Sequence, residues 1–328
     1  MSGAPNKNIV RPLPDDGALR PASFPDFFII GAPKCGTTTL YAMLSGHAAV
    51  ALPRKEPSWL SQDVEDTSYS ALHIATQADY EAIYTGLAAG VRAGDATPRT
   101  LYSHAALDLI VAHRPDAKLI GVVRDPVDLA FSYHGQKLRE GEERERNFET
   151  AWRRGVDGAT GRPLTDTPRF ADGPHKGAIN YAFWARYGAH LARWRAVFGA
   201  DQLLLLTLDD LQDLSAAYGT VLAHLGVPDD GRRVFAIANR RVEVRNMALH
   251  QAAVRAVRTF EPVMAPLRRA FGGPFGITKA LNAINIRPEG DGASGVSADF
   301  RAFMMAGIDD DLATAEAVLG RVIAKPTL

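Results

Sequence analysis

A single cysteine, Cys35, stands in a chain of 328 residues, so no intrachain disulfide can form, a usage that fits a reducing compartment. Charge of one sign is equally lacking: 37 Lys and Arg face 37 Asp and Glu, and no global basic field recruits nucleic acid or an anionic membrane. No run approaches the roughly 18 to 20 apolar residues that span a bilayer. Residues 1–25 carry Pro5, Pro12, Pro14, Pro21 and Pro25 and no apolar stretch of signal-peptide length, and read as an irregular arm. His47, His104, His113 and His134 show no metal-ligand spacing, and no metal is expected. These absences predict a cytoplasmic protein with no transmembrane segment and no nucleic-acid partner. With 46% hydrophobic residues the chain can bury a large core.

What is present begins with the apolar run Phe27-Phe28-Ile29-Ile30, followed by Gly31-Ala32-Pro33-Lys34-Cys35-Gly36-Thr37-Thr38-Thr39. Strand, glycine-bearing loop and helix start make up a phosphate-binding loop, in which backbone N–H groups and the helix N-terminus face an anion. In a Walker A loop the lysine follows the second glycine and reaches the outer phosphates of a triphosphate. Here Thr37 holds that place and Lys34 precedes Gly36. The departure argues against an ordinary ATPase or kinase and for a nucleotide with a different terminal group.

A second segment, Lys118 to Val123, reads as a buried parallel strand, and Arg124-Asp125-Pro126 onward as a turn entering a helix. Arg124 stands at the carboxyl end of that strand, and Ser132, eight residues on, falls a little over two helical turns later. An arginine fork and a hydroxyl there suit a second, separate phosphate.

With these residues in hand, the chain resembles the sulfotransferases that use 3′-phosphoadenosine 5′-phosphosulfate (PAPS), in the branch with the heparan-type and bacterial enzymes. Lys34, Cys35, Gly36, Thr37, Thr38 and Thr39 resemble that family's 5′-phosphosulfate loop, and Arg124 with Ser132 its 3′-phosphate site. Arg54-Lys55-Glu56-Pro57 resembles its Lys-Glu-Pro segment, Gly94-Asp95-Ala96-Thr97-Pro98 its Gly-Glu-x-Ser/Thr-Pro turn, and Tyr187 to Trp194 its Tyr-x-x-x-Leu-x-x-Trp helix. The resemblance implies sulfuryl transfer from PAPS to an acceptor hydroxyl of a small molecule, sugar or lipid, leaving adenosine 3′,5′-bisphosphate (PAP). It implies Lys34 as the cation on the leaving group and Glu56 as general base, a role calling for a carboxyl shielded by burial. It also implies that the late basic cluster Arg240, Arg241 and Arg245 clasps the 3′-phosphate, with Arg241 the residue chosen. On residue type alone, Glu56 reads as a surface carboxylate paired with Arg54 or Lys55, and the arginine cluster as an exposed face.

Departures from the family pattern bear on the acceptor. Relatives continue Lys-Glu-Pro with His-Phe-Phe, where this chain has Ser58-Trp59-Leu60, and Ala96 stands where heparan-type members carry lysine. Trp59 and Tyr102 could line an acceptor pocket or join the core. Cys35 reads as a small filler or as a thiol activated by Lys34 and the helix dipole. Two other readings stand beside the transferase: a P-loop kinase or NTPase using Asp95 as its magnesium carboxylate, and a nucleotide-binding protein without transfer activity.

The expected fold is α/β, a P-loop-like three-layer arrangement with a central parallel sheet and helices on both faces. Strands are expected at Phe27 to Ile30, Ala49 to Leu52, Val91 to Asp95, Lys118 to Val123 and Leu203 to Leu206, the last as a central strand. Helices are expected at Thr37 to Leu44, Ser103 to His113 and Tyr181 to Phe198, with helical patches around Tyr80 and Tyr84. After the arm at 1–25, residues 26–328 are expected to form one domain with irregular insertions near 139–177 and 272–296. The charged run Arg139 to Arg146 reads as solvated surface or as a border of the acceptor cleft.

Overall fold

The structure, a computed structural model, describes residues 24–64, 74–235, 242–244, 286–288 and 296–323. The chain divides into two compact units, residues 1–125, 187–238 and 313–328 in the first and 126–186 and 239–312 in the second.

The first unit holds a five-stranded parallel sheet in the order β2-β3-β1-β4-β5. Its strands are β1 (Phe27–Gly31), β2 (Val50–Ala51), β3 (Arg92–Asp95), β4 (Lys118–Val123) and β5 (Leu203–Thr207). Continuous apolar runs make β1 and β4, both buried almost throughout, because parallel strands covered on both faces have no solvent side to carry polar residues. Around the sheet run α1 (Thr37–Leu44), α2 (Gln77–Ala82), α3 (His104–His113), α7 (Gly188–Gln202) and α8 (Leu214–Leu225). The expected α/β fold with a central parallel sheet is present. Among the described residues the Leu203 strand is not central, however: β5 pairs only with β4 and ends the sheet, and Leu204 and Leu205 stay partly exposed. A run of leucines encodes burial in general and says nothing about how many neighbours the strand has.

Sequence explains most boundaries. Thr76 and Ser103 cap α2 and α3 by accepting from Asp79 and Ala106 N–H, and Asp63 reaches back to accept from the N–H groups of His104 (3.0 Å) and Ala105 (3.2 Å). Trp194, fully buried on α7, donates its indole N–H to the Leu101 carbonyl at 2.9 Å and so ties α7 to the 3₁₀ turn Pro98–Tyr102 that follows β3.

The second unit contains α4 (Pro126–Glu140), α5 (Phe148–Arg153), α6 (Tyr181–Ala185), the antiparallel pair β6 (Val242–Val244) and β7 (Ile286–Pro288), and α9 (Ala298–Ala306). The single helix expected over Tyr181 to Phe198 is two, α6 and α7, because Arg186 leaves helical geometry at φ −91°, ψ 81°. Segment 154–180 folds back on itself through the antiparallel bridges Val156 to Pro163 and Arg169 to Ile179. Buried Asn180 ties it down, donating to the Thr165 and Thr167 carbonyls while its oxygen caps α6. The arm at 1–23 and most of 272–296 lie outside the described residues.

Candidate active site

Four neighbouring parallel strands end at one edge of the first unit's sheet, and each hands over to a polar segment: Gly31–Thr39 after β1, Arg54–Ser58 after β2, Asp95–Arg99 after β3 and Arg124 after β4. Ligands of open α/β sheets bind at such an edge.

The loop after β1 depends on backbone that few residues adopt. Gly36, at φ +98°, forms the N-cap of α1, and a β-carbon there would meet Leu211 Cδ1 at 2.5 Å. Lys34 also lies in the left-handed region, at φ +65°. The first turn of α1 carries Thr37, Thr38 and Thr39 and no acidic side chain, so nothing in the helix itself neutralises its positive end. Lys34 and Thr38 are part-exposed, whereas Thr37 and Thr39 are nearly buried. Cys35 is wholly buried and donates its thiol to the Pro33 carbonyl at 3.4 Å. Burial pushes that thiol up to about 12 against the pull of Arg124 and Lys34, so it stays protonated and acts as a filler.

Arg124 is brought to this loop. β1 and β4 are neighbours, with Gly31 opposite Gly121, and Arg124 Nη1 donates to the Lys34 carbonyl at 3.5 Å. Buried Tyr187 fixes the Arg124 backbone by donating its hydroxyl to the Arg124 carbonyl at 2.6 Å. Ser132 lies on α4 in the second unit, part-exposed, and its pairing with Arg124 rests on the eight-residue spacing. Arg241, with Arg240 and Arg245, lies outside the described residues.

Glu56 also reaches the loop, through its neighbour Lys55. Lys55 Nζ donates to Thr38 Oγ1 at 3.0 Å and lies 3.5 Å from Glu56 Oε1. The carboxylate and the first turn of α1 therefore flank one ammonium. Glu56 keeps 36% of its side-chain exposure and is not the buried carboxyl that the base role was expected to need. Its backbone is unusual, at φ +51°, as is that of Ser58, at φ +64°.

The segment after β3 turns inward. Asp95, 1% exposed, accepts from Thr97 Oγ1 at 2.6 Å and from the Tyr80 hydroxyl at 2.7 Å. Burial raises its pKa to about 6, with those two hydrogen bonds opposing the rise and the Glu56 charge adding to it. Both oxygens are engaged inside the protein, so Asp95 does not present the free carboxylate that a Walker B role requires. Trp59, part-exposed, stacks on Tyr80 at 4.9 Å, and buried Tyr102 meets His190 edge-on at 4.9 Å. Among the described residues no three His, Cys, Asp or Glu side chains gather as metal ligands.

The sulfotransferase domain family matches residues 24–241, well over half of the chain. This protein belongs to the sulfotransferase family. Among its relatives, carbohydrate sulfotransferase 15 of Rattus norvegicus is 25% identical over 234 residues, which cover 57% of this chain and 40% of that protein. The membrane-associated sulfotransferase kil1 of Dictyostelium discoideum is 32% identical over 123 residues, covering 37% of this chain and 25% of its own. The match thus spans less than half the length of either relative. The crystal structure of a sulfotransferase from Alicyclobacillus acidocaldarius superposes with a TM-score of 0.61 at 20% identity, covering 91% of this chain and 97% of that one, and shares the fold. Among the described residues no helix is long and apolar enough to cross a membrane. One relative is membrane-associated by name, so the cytoplasmic expectation gains nothing from the comparison.

Proposed function

We propose that this sulfotransferase takes its sulfuryl group from PAPS and delivers it to an acceptor hydroxyl, with residues 26–328 as its catalytic domain. The observation that carries the reading is the bridge formed by Lys55, which brings the Glu56 carboxylate to the anion loop through Thr38. A sulfuryl group held by the loop is then flanked by the loop's cations on one side and a carboxylate on the other.

In this reading the loop N–H groups, Thr38 and Lys34 receive the 5′-phosphosulfate, and Arg124, Ser132 and Arg241 the 3′-phosphate. Glu56 accepts the acceptor's proton as the new O–S bond forms. The S–O bond to the 5′-phosphate breaks, and Lys34 with the end of α1 stabilises the charge that grows on the departing PAP oxygen. The fit to an anion rests on the uncompensated start of α1 and the part-exposed Lys34 and Arg124 beside it. Relatives named as carbohydrate sulfotransferases put sugar hydroxyls first in an acceptor screen, followed by small-molecule and lipid alcohols. The lone cysteine keeps the cytoplasm within this reading, and cell fractionation tests it.

The decisive experiment is a thermal-shift titration with PAP and, separately, with ATP and magnesium. PAP at about 100 times its Kd should stabilise the native state by about 2.7 kcal/mol without metal. Lys34→Ala and Arg124→Ala should each weaken PAP binding about tenfold or more, since hydrogen bonds to charged groups are worth roughly 1.5–3 kcal/mol. Glu56→Gln should bind PAP within about twofold of wild type and lose about a hundredfold or more in turnover. A shift seen only with magnesium and ATP would overturn the reading in favour of a divergent kinase, and PAP binding without transfer to any acceptor in favour of a binding protein.

A further inference from the structure

Two residues within three positions, Glu56 and Ser58, hold left-handed backbone, and neither is glycine, asparagine or aspartate. Glu56 is further restricted by the ring of Pro57 that follows it. Such a conformation persists only where the surroundings over-determine it. The surroundings here are specific hydrogen bonds that converge on Ser58, whose side chain is buried at 6% exposure.

The Ser58 hydroxyl donates to the Glu56 carbonyl at 3.0 Å and accepts from Arg99 Nη2 at 2.6 Å. The Ser58 N–H donates to Thr97 Oγ1 at 3.3 Å, and the Thr97 hydroxyl donates to Asp95 Oδ1 at 2.6 Å. Tyr80 closes the far end on Asp95 Oδ2 at 2.7 Å. The Ser58 hydroxyl takes a hydrogen from Arg99 and gives one to the Glu56 carbonyl, while the Thr97 hydroxyl takes one from the Ser58 N–H and gives one to Asp95, so Ser58 is held through both its side chain and its backbone. The network joins the segment after β2 to the segment after β3 across about 40 residues of sequence, through the Glu56 carbonyl and the Ser58 N–H.

We propose that Ser58, gripped by Arg99 and by the Thr97–Asp95 pair, is a positioning residue that holds Glu56 in its left-handed conformation and so aims its carboxylate at the transferred group. This rests on the reading of Glu56 as the base. Ser58 does not touch substrate. It acts through the Glu56 backbone, and it occupies the position where the family resemblance leads one to look for a histidine.

The test is a double-mutant cycle on Glu56→Gln and Ser58→Ala, read as PAP release from PAPS with water and with 4-nitrophenol as acceptors, together with the crystal structure of the Ser58→Ala protein. Ser58→Ala should lower kcat at least tenfold, leave KM for PAPS and the thermal shift with PAP within twofold, and cause no further loss in the Glu56→Gln background. A merely structural role would lower PAP binding and kcat together and would add to the Glu56→Gln loss. In the variant crystal structure Glu56 should leave its left-handed backbone. Full kcat in Ser58→Ala beside an inactive Glu56→Gln, or an unmoved Glu56 in the crystal, would overturn the inference. Wild-type turnover in Glu56→Gln would instead overturn the base reading, and the crystal structure would still decide whether Ser58 holds the loop.

Discussion

Asp95 has both carboxylate oxygens inside the protein, hydrogen-bonded to Tyr80 and Thr97, and burial still raises its pKa from 3.8 to about 6. In that window the folded state keeps a proton that the unfolded chain has released, so the Asp95 contribution to stability falls as pH rises through it and is regained on acidification. Between pH 7 and pH 5 the wild type should gain roughly 1 kcal/mol relative to Asp95→Asn, which has no proton to take up there. Urea unfolding of both proteins at the two pH values checks this, and a difference that stays constant would mean that Asp95 titrates near its ordinary value. Cys35 is the same physics with the opposite use. Its burial removes reactivity from a residue that lies beside two cations.

At the scale of elements, the run Arg139 to Arg146 shows how little composition says about desolvation. Glu143, 4% exposed, accepts from the N–H groups of Arg144 and Glu145 at 2.7 Å and from Arg154 Nη1 at 3.1 Å. The Tyr181 hydroxyl adds a bond at 3.3 Å, so this carboxylate joins the end of α4 to α5 and α6. Glu142 pairs with Lys137 and Arg169, which anchors segment 154–180 to α4. His134, buried as well, donates to the Glu145 carbonyl at 2.7 Å and is shielded from solvent. Within the run, Glu142 and Glu143 therefore brace the unit from inside, whereas Arg144 and Arg146 face solvent. Glu143→Ala leaves Arg154 with only Glu145 at 3.7 Å and should destabilise the protein by about 3 kcal/mol. A urea midpoint shifted by the equivalent of less than about 1 kcal/mol would mean that the pair behaves as a screened surface bridge.

At the scale of the molecule, a net charge of zero supplies no overall attraction for an anionic nucleotide. On the proposed reading the attraction is local, with Lys34, Lys55 and Arg124 at one sheet edge of the first unit contributing to it. Raising salt from about 50 mM to about 500 mM shortens the Debye length to a few ångströms, so PAP affinity should fall severalfold. Removal of one of these cations should flatten that dependence, which PAP titrations of Lys34→Ala at several salt concentrations would read as a shallower slope. An equal slope in the variant would place the attracting charge elsewhere.

Local chemistry was legible in the sequence. Glycine at Gly36 announces a backbone that side chains resist, apolar runs announce β1 and β4, and the paired phosphate motifs point to the family to which the chain belongs. The rest depends on partners distant in sequence. That β5 lies at the edge, that Lys55 finds Thr38, that Glu143 is buried and that Arg99 grips Ser58 follow from how strands are ordered and which loops they set side by side. A side chain's type sets what bonds it can make. Only the folded chain decides whether water or another residue makes them, because desolvation and hydrogen-bond geometry are properties of neighbours brought together and not of the residue alone.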